Sequence, residues 1–465
     1  MKLTTSLFVA LITTTFISAQ EITGTWQGTL NVQGTKLEIV FHIEKQIDGY
    51  TSLMDSPTQG AYGIKTTNTI YENEKLQITA IDLGLFYQAT AKNDSITGIF
   101  NQNGMPFPLT LVRTEKKTQL RPQEPKAPFP YKIEEIEFTN AKENINLAGT
   151  LTLPQKKEKS SAVILIAGSG PNDRDETIFG HKPFWVLADY LSRNGIAVLR
   201  YDKRGVEKSG GEYFTATTQD FADDAEAALN YLKSRKEIDT SNIGLIGHSE
   251  GGIIAPMIAS QNKDVQFIVL MAGLGVSGIE LSLAQNQFAL NKASLSDKEK
   301  DALNEILKKI FTSTENWTGY VGSETERSAL KNELNILWQN LPMKIRGQVS
   351  KETFIEKTTA NIATPWFRHF LKVKPPIYLQ KLSIPVLAIN GEKDTQVDYK
   401  CNLSAIEAAL IQADNIKYKI KTYPNLNHLF QESNTGEIDE YVKIEQTISP
   451  KVLSDVTKWI ETQIK

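Results

Sequence analysis

Ser249 sits in Gly247-His248-Ser249-Glu250-Gly251, directly after an apolar run at 243–246 and directly before a helical stretch at 252–259. A serine hydroxyl is a weak nucleophile and needs an activating base. It also needs exposure, and a sharp strand-to-helix turn supplies that by holding the serine in a strained conformation. Such a turn tolerates only small residues two positions before and after the serine. Gly247 and Gly251 meet that demand. The helix beginning there directs its free N–H groups, that of Glu250 first, at an oxyanion forming beside the serine. His248 is adjacent to Ser249 on the turn, so its ring points elsewhere and reads as packing.

The elements around this turn must place it at the edge of a sheet. From residue 131 on, continuous apolar runs at 163–167, 196–200, 243–246, 267–270 and 386–389 alternate with amphipathic stretches such as 184–193 and 221–234. Unbroken apolar strands separated by helices predict a parallel sheet covered on both faces, hence an α/β domain. A hairpin-like pair (133–138, 147–153) precedes it. Residues 276–380 carry helical patterns and no strand, so they read as a helical cap inserted between two core strands. Ser296-Asp297-Lys298-Glu299 is a capping box ahead of apolar positions Leu303, Ile306, Leu307 and Ile310.

The region before residue 116 has a different rhythm. Short alternating runs, such as 36–43, are broken by Gly24, Gly34, Asp48-Gly49 and Asn103-Gly104. They predict a small antiparallel barrel or sandwich of about eight strands over residues 20–115. Its Gly24-Thr25-Trp26 start is similar to that of lipocalin-like barrels, with Trp26 as a core plug. Residues 116–130, with four prolines and few apolar side chains, read as a stiff extended linker. Lys2, an apolar stretch from Leu7 to Ile17 and Ser18-Ala19-Gln20 form the pattern of an export signal over 1–19, and imply a periplasmic or extracellular protein.

Composition is that of a globular protein: 465 residues, 40% hydrophobic, 23% charged, net charge -3. There is no basic stripe for nucleic acid and no second apolar span for a membrane. No His/Cys/Asp set has metal-ligand spacing, and no phosphate loop is present, so no cofactor is expected. The lone Cys401 forms no internal disulfide and reads as a buried small apolar residue.

Six blocks stand in a fixed order: Gly168-Ser169-Gly170-Pro171, Asp173-Arg174-Asp175, Asp202-Lys203-Arg204-Gly205, the Ser249 turn, Asn390-Gly391-Glu392-Lys393-Asp394 and Asn427-His428. With them, residues 131–465 resemble the bacterial α/β-hydrolase esterases that carry a Gly-Ser-Gly-Pro loop. The resemblance implies serine esterase chemistry on short acyl esters without a cofactor. Family members often carry a glycine where this chain has Glu207. In this fold the chain order is serine, acid, histidine. Only His369 and His428 follow Ser249, and His369 lies inside the cap, so His428 is the expected base. Asp394, on the turn after the strand at 386–390, is the expected acid. Asp398 precedes a helical pattern and reads as its N-cap. The expected oxyanion donors are the amides of Glu250 and Ser169, with Gly170 next. Asp173, Arg174 and Asp175 either touch substrate or pair with one another to hold their loop, and Asp202 and Arg204 read as locking the loop behind the site. Trp366, Phe367 and Phe370 form an aromatic cluster in the cap, either core or a wall of the acyl pocket.

The sequence therefore predicts a hydrolase of short-to-medium acyl esters, acting on a small molecule through Ser249, His428 and Asp394. A prolyl-oligopeptidase-type serine peptidase would need a propeller for which the N-terminal region is too short. A thioesterase would use identical residues. A glycan- or lipid-binding protein with an accessory hydrolase is the reading from another class.

Overall fold

The computed structural model describes residues 22–464, apart from 33–34, 60, 115–120, 156–158, 316, 318–322 and 348–349. The chain divides into two compact units, Met1–Thr118 and Gln119–Lys465. The expected export signal and residues 116–120 of the expected linker lie outside the described residues.

Among the described residues the first unit is an antiparallel sheet of nine strands, eight of which close into a barrel, the number expected. Its first strand, Gly24–Val32, pairs with both Thr35–Gln46 and Met105–Thr114, and Thr35–Gln46 also pairs with Gly49–Ser56, which closes the ring. Strand alternation is plain in Leu85–Lys92, whose residues are buried and exposed in strict turn. Trp26, Phe41, Tyr87 and Phe100 are essentially fully buried in the interior. Phe41 stacks on Tyr87 with ring centroids 5.8 Å apart, and the Trp26 Nε1–H donates to the Ile22 carbonyl at 2.8 Å. The barrel is filled by its own side chains.

The second unit is built on eight strands: β1 (Tyr131–Asn140), β2 (Ile145–Pro154), β3 (Ser160–Ile166), β4 (Ala197–Tyr201), β5 (Ile238–His248), β6 (Phe267–Met271), β7 (Val386–Gly391) and β8 (Tyr418–Tyr423). Their order in the sheet is β1-β2-β4-β3-β5-β6-β7-β8. β1 with β2 and β2 with β4 run antiparallel, and all later pairs run parallel. Every residue of β4, β6 and β7 is buried, as a sheet covered on both faces requires. The helices Pro183–Arg193 (α1) and Pro450–Gln463 cover one face, and Thr218–Ser234 (α2), Gly251–Ala259 (α3) and Tyr399–Gln412 cover the other. This is the expected α/β-hydrolase fold behind an all-β domain.

Residues 121–130 are not a free linker. The Arg121 guanidinium donates to the carbonyls of Phe179 (2.9 Å) and Ile444 (3.0 Å), and Gln123 Oε1 accepts from the Thr447 amide at 2.6 Å. Composition predicted an extended chain, and the prolines do extend it. Two of its long polar side chains, those of Arg121 and Gln123, however, satisfy main-chain groups of the second unit.

Between β6 and β7 the cap runs through the helices Gly278–Lys292 (α4), Asp297–Glu315 (α5), Glu324–Trp338 (α6), Lys351–Ile362 and Pro365–Lys372. Its start signals are legible in the sequence. Ser296 Oγ–H donates to Glu299 at 2.7 Å, and Ser277 with Glu280 and Ser323 with Glu326 form further capping boxes. Leu303, Ile306 and Ile310 bury with Leu330, Leu334 and Ile362 in a core of the cap's own.

Candidate active site

β5 ends at His248 and α3 begins at Gly251, so Ser249 turns the corner between them. Its φ of 53° lies in the left-handed region that side chains avoid, at a cost of about 1–3 kcal/mol. The surroundings hold it there. The Ser249 amide donates to the Met271 carbonyl of β6 at 2.9 Å, and the Gly252 amide donates to Ser249 O at 2.9 Å. The flanking glycines are required: a Cβ on Gly247 would lie 1.9 Å from the Gly251 carbonyl oxygen, and one on Gly251 would lie 2.0 Å from that of Ile166.

Asp394 follows β7 and His428 follows β8, both beyond the carboxyl ends of the strands. His428 Nδ1 lies 2.7 Å from Asp394 Oδ2. The other carboxylate oxygen accepts from the amides of Gln396 (2.8 Å) and Val397 (2.9 Å), which fixes its direction. With Nδ1 committed to Asp394, Nε2 is the nitrogen His428 has left for a reacting proton. Asp398 caps the helix Tyr399–Gln412 by accepting from the Cys401 amide at 3.0 Å. His369 lies in Pro365–Lys372, away from this pair. Burial lowers its pKa, and its Nδ1 has no partner among the described residues. Cys401 differs from expectation. It is exposed, because the third position of its helix faces outward. Partial burial and the bond to Asp398 push its thiol up to about 11, which makes it a poor nucleophile.

The loop after β3 brings Ser169 beside the turn. A Cβ on Gly168 would stand 3.0 Å from that of Ser249, so the backbone approach is close. Asn172 Nδ2 donates to the carbonyls of Gly168 (2.8 Å) and Ser169 (3.1 Å) and folds the loop. The Gly168 amide is taken by Glu176 Oε1 at 2.6 Å, and the Gly170 amide meets the Tyr213 phenol, whose pKa burial raises to about 12. The amides of Ser169 and Glu250 have no hydrogen-bond partner among the described residues.

Ser169, Ser249, Glu250 and His428 share one cavity of about 270 Å³. That is near the lower end of small-molecule pockets, which run to roughly 1,000 Å³. Leu274, Leu281, Trp366, Phe367 and Phe370 wall one side; Asn172, Gln285 and Gln396 supply polar groups. The cap aromatics are thus cavity wall, and Trp366 stacks on Phe370 at 5.2 Å.

The Glu250 side chain was legible only as a turn residue, yet it is fully buried. Its Oε1 accepts from Thr218 Oγ1 (2.8 Å) and from Trp366 Nε1 (2.7 Å). Lys203 Nζ stands 3.5 Å from Oε2 and donates to the Gly168 carbonyl at 2.6 Å; burial lowers its pKa. The block Asp202-Lys203-Arg204 therefore braces the oxyanion loop. Asp202 accepts twice from the Arg174 guanidinium (3.0 and 2.7 Å), Arg204 pairs with Asp224, and Asp175 with Arg200. Those side-chain partners come from outside the 173–175 block, while within it the Asp175 amide donates to Asp173 Oδ1 at 3.2 Å. Glu207 keeps the left-handed φ (47°) that glycine would suit. The barrel carries another Thr/His/Asp set: His42 lies 3.1 Å from Thr25 Oγ1 and 2.7 Å from Asp55. It sits on three paired strands. Among the described residues no cluster of three or more His, Cys, Asp or Glu is placed to hold a metal ion, and no helix is long and apolar enough to cross a membrane.

A mixed sheet in this order, with a strained serine between β5 and α3, defines an α/β-hydrolase. The chain belongs to the family described as serine aminopeptidase, S33, whose model matches residues 184–434. It is 28% identical over 316 residues to the esterase EstD of Thermotoga maritima, covering 68% of this chain and 65% of that protein. It is 26% identical over 145 residues to the uncharacterized protein YfhR of Escherichia coli O157:H7, covering 31% and 48%. The chain thus spans less than two thirds of the length of these relatives. Among solved structures, the Pyrococcus furiosus esterase Pf2001 aligns with a TM-score of 0.44 and 16% identity, over 76% of this chain and 100% of that one.

Proposed function

We infer that this hydrolase is a serine carboxylic-ester hydrolase acting on short-to-medium acyl esters, with Ser249 as nucleophile, His428 as base and Asp394 as its orienting acid. Ser249 Oγ attacks the ester carbonyl while His428 Nε2 takes its proton. The amides of Ser169 and Glu250 receive the oxyanion. His428 then protonates the leaving alcohol, and a water activated by the same ring releases the acyl group. Asp394 holds the ring in the tautomer with Nδ1–H and stabilises the imidazolium. The observation that carries this reading is the His428–Asp394 bond of 2.7 Å opening onto the same small cavity as the left-handed Ser249 and two uncommitted amides.

The apolar wall of Leu274, Leu281 and the cap aromatics suits an acyl chain, and Asn172, Gln285 and Gln396 suit the alcohol side. The family description favours a second reading, an aminopeptidase. That activity needs a carboxylate for the substrate's ammonium group. The carboxylates in the cavity wall are Glu176 and Glu250, and both are spent on protein partners. A thioesterase would run on the same residues. Among the described residues the barrel interior is filled by Trp26 and its neighbours. Export by the segment 1–19, to the periplasm or beyond, remains part of this proposal.

The test is hydrolysis of p-nitrophenyl acetate, butyrate and octanoate, and of aminoacyl p-nitroanilides, by the protein and by Ser249→Ala. Ester cleavage that the variant loses supports the reading. Cleavage of the anilides alone would replace it with the peptidase.

A further inference from the structure

We propose that His248 and Glu176 form a buried ion pair that positions the catalytic base and the oxyanion loop together. The inference rests on the esterase reading only for its consequence in catalysis; the pair itself stands on geometry. His248 Nδ1 lies 3.0 Å from Glu176 Oε1, and its Nε2 lies 3.0 Å from the main-chain oxygen of His428. A carbonyl oxygen can only accept. Glu176 Oε1 is already placed as an acceptor, 2.6 Å from the Gly168 amide. A neutral imidazole has one N–H and would satisfy one of these two partners. A ring that donates from both nitrogens is an imidazolium, and a carboxylate beside it balances the charge.

The consequence follows from what the pair touches. One end grips the backbone of the base, His428; the other grips Gly168, the residue before the oxyanion donor Ser169. Both side chains are buried, His248 at 6% and Glu176 at 4% exposure. The groups around them are mostly apolar: Pro183, Phe184, Leu187, Met271, Leu429 and Phe430. Three further ionisable groups bear on the pair: Asp394 on His248, Lys203 on Glu176, and the His428 ring, whose centroid is 4.8 Å from that of His248. Burial works against the His248 cation, and Glu176, the His428 carbonyl and Asp394 outweigh it, so its pKa is raised. The positioning is therefore fully present below the ordinary imidazole value of about 6.5 and is lost as pH rises through the raised one. His248 acts through His428 and Gly168, as a positioning residue. The sequence gives both residues in plain sight, but they are 72 positions apart.

The experiment combines nitrogen NMR of histidine-labelled protein with kinetics of Glu176→Gln. The chain has 5 histidines, so individual ring nitrogens are assignable by substitution. The expected result is a His248 ring that stays protonated on both nitrogens to higher pH than a free imidazole in the wild type and in Ser249→Ala, and that loses this shift in Glu176→Gln. In Glu176→Gln, kcat on p-nitrophenyl butyrate is expected to fall by about tenfold to a hundredfold with little change in KM, and its alkaline limb to move to lower pH. A neutral His248 in the wild type overturns the ion pair, whether or not esters are cleaved and whether or not the variant folds. A charged His248 with unchanged kcat and pH profile in Glu176→Gln overturns the positioning role.

Discussion

Ser249 adopts a backbone conformation that costs energy, and the glycines at 247 and 251 are present because any side chain there would strike a carbonyl oxygen. The same logic makes the acid the most informative residue to change. In Asp394→Asn the amide would present an N–H to His428 Nδ1 and select the wrong tautomer. The expected outcome is a kcat lower by on the order of 10⁴ with thermal stability little changed, read by steady-state hydrolysis beside thermal unfolding. A loss of less than about tenfold would remove Asp394 from its role. At this scale the sequence was most legible where sterics leave one solution, as at the Ser249 turn. It was least legible where a side chain's partner lies far along the chain. Glu250 meets Trp366 across 116 residues, and no local pattern announces that bond. Cys401 was misread because a helical position has two faces and residue type alone did not choose between them.

The cap reaches the turn through Trp366. Its indole donates to the buried Glu250 carboxylate, whose main-chain amide is a proposed oxyanion donor, so cap and elbow share one hydrogen bond. Trp366→Phe is expected to remove one of the two hydrogen bonds to the buried Glu250 Oε1 and cost about 1–3 kcal/mol, seen in thermal unfolding. Trp366→Ala also removes a wall of the cavity. It is expected to shift preference along the acetate–butyrate–octanoate series towards octanoate; an unchanged ratio would detach the cap from acyl selection. Helix starts in the cap were readable from Ser and Glu three apart. The five central strands of the sheet were readable from unbroken apolar runs. The docking of 121–130 was not, because a proline-rich stretch looks the same free or bound, and only Arg121 and Gln123 decide it.

In the whole molecule, every residue lining the cavity belongs to the second unit. A chain beginning at Gln119 is therefore expected to keep kcat/KM for p-nitrophenyl butyrate within about threefold, since a unit with its own core can fold alone. A larger loss would give the barrel a part in the chemistry. Stability should carry a pH signature from His181. Burial, and to a lesser degree the Arg121 charge, lower its pKa to about 4, while its Nε2 lies 2.9 Å from the Tyr441 carbonyl. A depressed histidine pKa means that stability is intact above the unfolded value of about 6.5 and is lost as pH falls from there to 4. The loss is on the order of 3 kcal/mol. Thermal unfolding of the wild type should fall more steeply below pH 6 than that of His181→Gln; parallel curves would contradict this. The two-unit plan was legible because alternation at period two gives way to apolar strands and amphipathic helices after residue 130. The closure of the barrel was not, since pairing of its first and last strands leaves no local mark.

The most direct test of the central claim is to treat the protein with a p-nitrophenyl phosphonate and weigh it intact. The account expects one adduct per chain, mapped by peptide analysis to Ser249, with p-nitrophenol released in equal amount and both absent in Ser249→Ala. An adduct at another residue, or none while esters are still cleaved, would contradict it.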